Sequence, residues 1–70
     1  MDEIHPIRAY RESQGLSATD LAIKLDVKRN TVWRWENRRQ SIERRLWHRV
    51  HEVTGIPIEQ LAMLGKDVAA

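Results

Sequence analysis

Residues 28–49 carry eight cations, Lys28, Arg29, Arg34, Arg38, Arg39, Arg44, Arg45 and Arg49, against two acids, Glu36 and Glu43. That segment has a net charge of +6, whereas the rest of the chain is net −4 and the whole is +2. Seven of the eight cations are arginine. A guanidinium presents a planar fork of N–H donors that bonds two oxygens at once and stays charged near neutral pH. Asn30 lies among them, with an amide that donates and accepts side by side. Such groups pair with phosphate oxygens and with the acceptor edges of bases. A charge run is ordinarily a solvated face. Here the one-sided sign and the switch to acidic flanks point to a polyanionic partner.

Little else in the chain offers chemistry. Cysteine is absent, so disulfides, thiolate metal sites and thiol nucleophiles are excluded. His48 and His51 stand at i, i+3 with Glu52 beside them, and His5 is remote. Without a thiolate or a carboxylate pair, this pattern favours surface histidines over a zinc site, and no metal or cofactor is expected. No Ser-His-Asp order and no Gly-rich phosphate loop occur, so an enzyme is not expected. Apolar runs fall far short of the ~20 residues a membrane helix needs. Asp2 and Glu3 stand where a secretory leader would be basic. The 70 residues suffice for one domain, which buries only about 60% of the surface its unfolded chain exposes.

The elements that must position the basic tract can be read from their punctuation. His5-Pro6 opens a helix over 6–14, with Ile7 and Tyr10 on one face, and Gly15 ends it as a left-handed cap. Ser17 caps a second helix over 18–25, and Asp20 completes an approximate capping box. Leu16 and Leu21 form a hydrophobic staple, followed by the apolar stripe Leu21, Ala22 and Leu25. Asp26-Val27 is the turn. A third helix over 29–37 faces Val32 and Trp35 inward, and Arg38-Arg39-Gln40 is a basic loop. Ser41 caps a fourth helix over 42–54 with Leu46, Trp47, Val50 and Val53 on its apolar face. Pro57 starts a fifth over 58–64, Gly65 closes it, and 66–70 reads as a loose tail. No strand is expected.

Two short helices joined by a tight turn, the second polar and basic outside, meet the physical requirement of a helix-turn-helix. Gly15-Leu16-Ser17, Asp20-Leu21-Ala22, Leu25, Val27, Thr31-Val32 and Arg34-Trp35-Glu36-Asn37 together resemble the phage repressor/Cro family of XRE-type regulators. The gap-free spacing extends the resemblance from about Ile7 through the fifth helix. It implies an all-α, lambda repressor-like bundle of about five short helices in a single domain over 1–70. Lambda-type repressors and Cro are standard examples of this docking mode, in which the second helix enters the major groove N-terminus first. Departures from the family pattern are Ala18 for a usual Gln, Asp26 for the turn Gly, Lys28 for a capping Ser or Thr, and Arg38 for the Gly after the W-E-x motif.

The resemblance also implies roles. Arg29, Asn30 and Arg34 match base-reading positions, although each arginine could equally contact phosphate and Asn30 could bond the nearby backbone. Trp33 and Trp35 are two apart, about 200° around a helix, so both cannot face the core. Trp35 matches the family's core position. Trp33 is then exposed among the readers, either packing on sugars or thymine methyls or lying on a neighbouring arginine. Ser17, Lys28, Thr31, Arg38, Arg39 and Arg44 are phosphate candidates, with Arg45 and Arg49 as extensions of the basic surface or simply solvated. Arg11 and Glu36 match an internal ion pair joining the first and third helices, whose loss of one partner would cost about 3–5 kcal/mol if buried. Ile58, Leu61, Met63 and Leu64 are candidates for a homodimer surface, with core completion the stronger role for Leu61.

The expected function is a sequence-specific double-stranded DNA-binding regulator, most simply a repressor acting as a homodimer on a palindrome, in a bacterial or phage-encoded cytoplasmic protein. The competing expectation is a protein-interaction module, such as an antitoxin or phage control protein, using the same surface. Single-stranded RNA is a distant third, since only Trp33 offers a stacking platform.

Overall fold

A computed structural model of the chain describes residues 4–65; the tail expected at 66–70 lies outside them. The described residues form α1 (Pro6–Ser13), α2 (Ala18–Leu25), α3 (Arg29–Glu36), a 3-10 turn (Arg44–Leu46), α4 (Trp47–Thr54) and α5 (Ile58–Leu64), with no strand among them. The fold is all-α.

Local chemistry explains where the first two helices begin. The His5 ring caps α1, its Nδ1 accepting from the Ile7 N–H at 3.1 Å, and Pro6 follows at the first helical position, where its missing N–H costs nothing. At α2 the capping box is complete. Ser17 Oγ accepts from the Asp20 N–H at 3.0 Å and Asp20 Oδ2 accepts from the Ser17 N–H at 3.2 Å. The shorter Asp therefore does the work usually given to Glu. Lys28 at the start of α3 makes no side-chain cap bond, so the Arg29 and Asn30 N–H groups are left uncapped, while the Thr31 N–H bonds the Lys28 carbonyl at 2.9 Å.

Helix endings follow one pattern used three times. After α1 the Gly15 N–H bonds the Glu12 carbonyl and the Leu16 N–H bonds the Arg11 carbonyl. After α2 the Asp26 N–H bonds Ile23 and the Val27 N–H bonds Ala22. After α3 the Arg38 N–H bonds Trp35 and the Arg39 N–H bonds Arg34. Each is a Schellman closure, which needs one left-handed residue. Gly15 (φ 67°) adopts that conformation freely, but Asp26 (φ 56°) and Arg38 (φ 56°) do so against a Cβ penalty.

The fourth helix departs from the expectation of 42–54 with Ser41 as its cap. Its α-helical part begins at Trp47, preceded by the 3-10 turn, and Glu43 is extended at φ −60°, ψ 137°. The reason is tertiary. Ile42 is pulled into the core, and the Trp47 indole Nε1 donates to the Ile42 carbonyl at 2.8 Å, holding residues 41–43 out of helix. α1 also ends one residue before the expected 14, and α3 one before 37, within ordinary end fraying.

The core draws on every helix: Ile7, Leu21, Leu25, Val32, Trp35, Val50 and Leu61 are sealed from solvent, with Ile42, Leu46, Ile56 and Leu64 around them. Leu61 and Leu64 thus belong to the interior of the single chain. That corrects their inclusion in a dimer surface, because a buried side chain has no area left to offer. Ile58 is half-buried and Met63 is 63% exposed.

Candidate nucleic-acid interface

Three interactions fix α3 relative to the rest of the fold. Its inner face is anchored by Val32 and Trp35, both fully buried. The Trp35 indole N–H is buried without a hydrogen-bond partner, so that anchor is won by packing against a polar cost of about 1–3 kcal/mol. Glu36 accepts two bonds from Arg11, at 2.8 Å from Nε and 2.9 Å from Nη2. Arg11 Nη1 also donates to the Leu16 carbonyl at 3.1 Å, so one guanidinium ties α1, the α1–α2 loop and α3 together. The pair expected from sequence is therefore formed, in a two-pronged geometry, with side-chain exposures of 19% for Arg11 and 8% for Glu36. The hydrogen bonds to Glu36 raise the Arg11 guanidinium above its ordinary value, with partial burial opposing the rise.

The third interaction was not visible in the sequence. Arg49, from α4, donates to the Leu25 carbonyl at 3.3 Å and lies 3.8 Å from the Asp26 carboxylate. It closes the C-terminus of α2 at the turn between the two helices, where a cation complements the helix dipole. Twenty-four residues separate Arg49 from Leu25, so no local pattern announces the contact.

With its inner face locked, α3 turns outward a face built from two rows at i, i+4 spacing: Arg29 with Trp33, and Asn30 with Arg34. All four are exposed. Lys28 precedes them, exposed, and Thr31 is half-buried in the first turn. Among the described residues no acid pairs with Lys28, Arg29, Arg34 or Arg39. Arg38 and Arg39 extend the basic surface past the end of α3, and the Arg44 guanidinium stands 6.0 Å from the Trp47 ring centroid, a cation–π arrangement. Arg45 is engaged by Glu43 at 2.6 Å. Ser17 sits exposed at the head of α2 with its oxygen used by the Asp20 N–H, which leaves the hydroxyl proton to give. The structure thus brings Arg29, Asn30, Trp33 and Arg34 onto one helix with Lys28 at its head, and gives Arg45 and Arg49 intramolecular partners while both stay exposed.

A family model described as a helix-turn-helix domain matches residues 6–64. The chain belongs to the helix-turn-helix domain family. The match spans all five helices, and the α2–turn–α3 unit held by Arg11, Glu36 and Arg49 is the helix-turn-helix proper. Neither the curated proteins nor the solved structures give a match to the chain. Among the described residues no group of His, Asp and Glu could hold a metal ion, and no helix is long and apolar enough to cross a membrane. The surface of this helix-turn-helix offers donors and positive charge, the chemistry of DNA recognition.

Proposed function

We propose that the chain is a sequence-specific double-stranded DNA-binding transcriptional regulator of the phage repressor/Cro, XRE-type kind, acting as a repressor. The observation that carries this reading is the outer face of α3: Arg29, Asn30, Trp33 and Arg34 exposed on a helix whose other face is fully buried. α3 enters the major groove, where arginine bonds guanine and asparagine bonds adenine bidentately, each pair worth about 1–3 kcal/mol of discrimination. Lys28, Arg38, Arg39 and Arg44, with the Thr31 and Ser17 hydroxyls, bond the phosphates on either side. The uncapped Arg29 and Asn30 N–H groups at the head of α3 add donors for the same strand.

One such module reads few base pairs. Two copies related by a two-fold axis read a palindrome with half-sites about 34 Å apart. Met63 and the exposed part of Ile58 on α5 are the apolar positions left for that pairing.

Selection from a random duplex pool followed by sequencing tests the reading. A palindromic enriched motif is expected. Failure to enrich any duplex at low salt would overturn DNA binding and leave the protein-interaction module. Light scattering that finds a monomer both at high concentration and on the selected duplex would remove the dimer.

A further inference from the structure

Trp33 is a large apolar side chain, 54% exposed, in the middle of a basic, polar helix face. Tryptophan is well buried on average, so an exposed one calls for a reason. One ready reason is a guanidinium lying on the ring, with Arg29 one turn before it. That arrangement is absent: among the described residues the cation–π contact is between Arg44 and Trp47, and the Trp33 indole N–H has no partner. The Trp33 backbone is fully used, its carbonyl accepting from the Asn37 N–H at 3.0 Å and from the Asn37 side-chain amide at 2.8 Å. The backbone is held while the ring is left in water.

Helical side chains lean toward the helix N-terminus, so the ring covers surface over the turn that carries Arg29. It stands where the base edges lie if α3 enters the major groove. The only apolar group a base pair presents there is the 5-methyl of thymine. The unpaired cations flanking the ring on its own helix disfavour an apolar protein surface as the occupant.

Resting on the proposed DNA-binding function, we propose that Trp33 is a specificity-determining residue that reads a thymine 5-methyl group in each half-site. Its apolar contact complements the hydrogen bonds of Arg29, Asn30 and Arg34. It makes the protein sensitive to a methyl group that carries no charge and no hydrogen bond.

The test replaces each thymine of the selected duplex in turn by deoxyuridine, which removes that methyl alone, and measures affinity at fixed salt for the wild-type chain and for Trp33→Ala. At one position per half-site the replacement should weaken wild-type binding roughly three- to tenfold, the worth of about one buried methyl. Trp33→Ala should bind thymine and uracil alike at that position and keep the wild-type salt dependence, because no phosphate contact is lost. The side chain is exposed, so circular dichroism of the variant should match the wild type. Wild-type indifference to every replacement, or a thymine preference that survives in Trp33→Ala, would overturn the proposal while leaving DNA binding intact. A pool from which no duplex is enriched would overturn both, and that outcome is seen before any deoxyuridine is made.

Discussion

At the scale of single residues, two side chains separate holding the fold from binding a partner. Arg11 satisfies two Glu36 oxygens and one backbone carbonyl, so Arg11→Ala strands a carboxylate that is mostly out of water. Urea unfolding should show a loss of about 3 kcal/mol, the low end for breaking a buried pair because Arg11 keeps some solvent contact. Arg11→Lys should recover little of it, since a single ammonium cannot reproduce the fork. Arg11 has its folded value raised above the unfolded one. Its contribution is complete at every pH below the unfolded value and is lost only as pH climbs through the folded one. Stability should therefore show no Arg11 titration near neutral pH. Lys28 is the opposite case. It leaves α3 uncapped, so Lys28→Ser should stabilise the chain by about 1 kcal/mol. The same change removes a cation at the groove edge of each copy and should weaken DNA binding across all sequences, lowering the dimer's salt slope by about two units, one per copy. A variant that gains stability and keeps full affinity would remove Lys28 from the phosphate set.

At the scale of elements, the three Schellman closures fix the angles between α1, α2 and α3. Two of them use residues with a Cβ in a left-handed conformation, and asparagine or aspartate tolerates this better than arginine. Arg38→Gly should relieve the larger strain, offset in part by the greater freedom of glycine in the unfolded chain, for a net gain of about 0.5–1 kcal/mol by thermal denaturation. It should also reduce affinity for DNA. Loss of stability in Arg38→Gly would mean that the side chain's own interactions outweigh the backbone strain. The sequence marks the three closure positions, Gly15 by its residue type and Asp26 and Arg38 because they stand where the resembled family has glycine. It does not locate the Arg49 contact that braces the second of them, because that contact depends on how α4 crosses the end of α2.

At the scale of the whole molecule, the charge division matters most. With the acids concentrated in the flanks and the cations in residues 28–49, affinity should be strongly electrostatic on one side only. For a dimer making about eight phosphate contacts, binding should fall by at least about a thousandfold between 50 and 200 mM salt. Flat salt dependence would point to a protein partner. The small core makes interior and surface roles on α5 separable. Leu61→Ala should cost about 2–5 kcal/mol, a large share of the stability of so small a domain, and should unfold much of the population at growth temperature. Met63→Ala should leave the monomer's unfolding midpoint within about 0.5 kcal/mol and act on dimer formation alone.

What the sequence determined by itself was everything set by short-range chemistry. The cap at Ser17, Pro6 at the first position of α1, the left-handed positions at Gly15 and Asp26, and the helical period of Leu21, Leu25, Val32 and Trp35 are local, and they place α1, α2 and α3 to within a residue. The opposition of Trp33 and Trp35 followed from their spacing alone, and the match of Trp35 to the family's core position made Trp33 the exposed one. The matched pattern also named Arg11 and Glu36 as partners. What only the tertiary structure decided was whatever depends on elements meeting. Ile42 is drawn into the core and delays α4, Arg49 closes the turn while staying exposed, and Leu61 and Leu64 are consumed by the chain's own interior. In each case a local signal competes with burial or with an unpaired carbonyl across the fold. The non-local term wins because sealing an apolar side chain is worth about 1.5–3 kcal/mol and a single exposed cap only about 1.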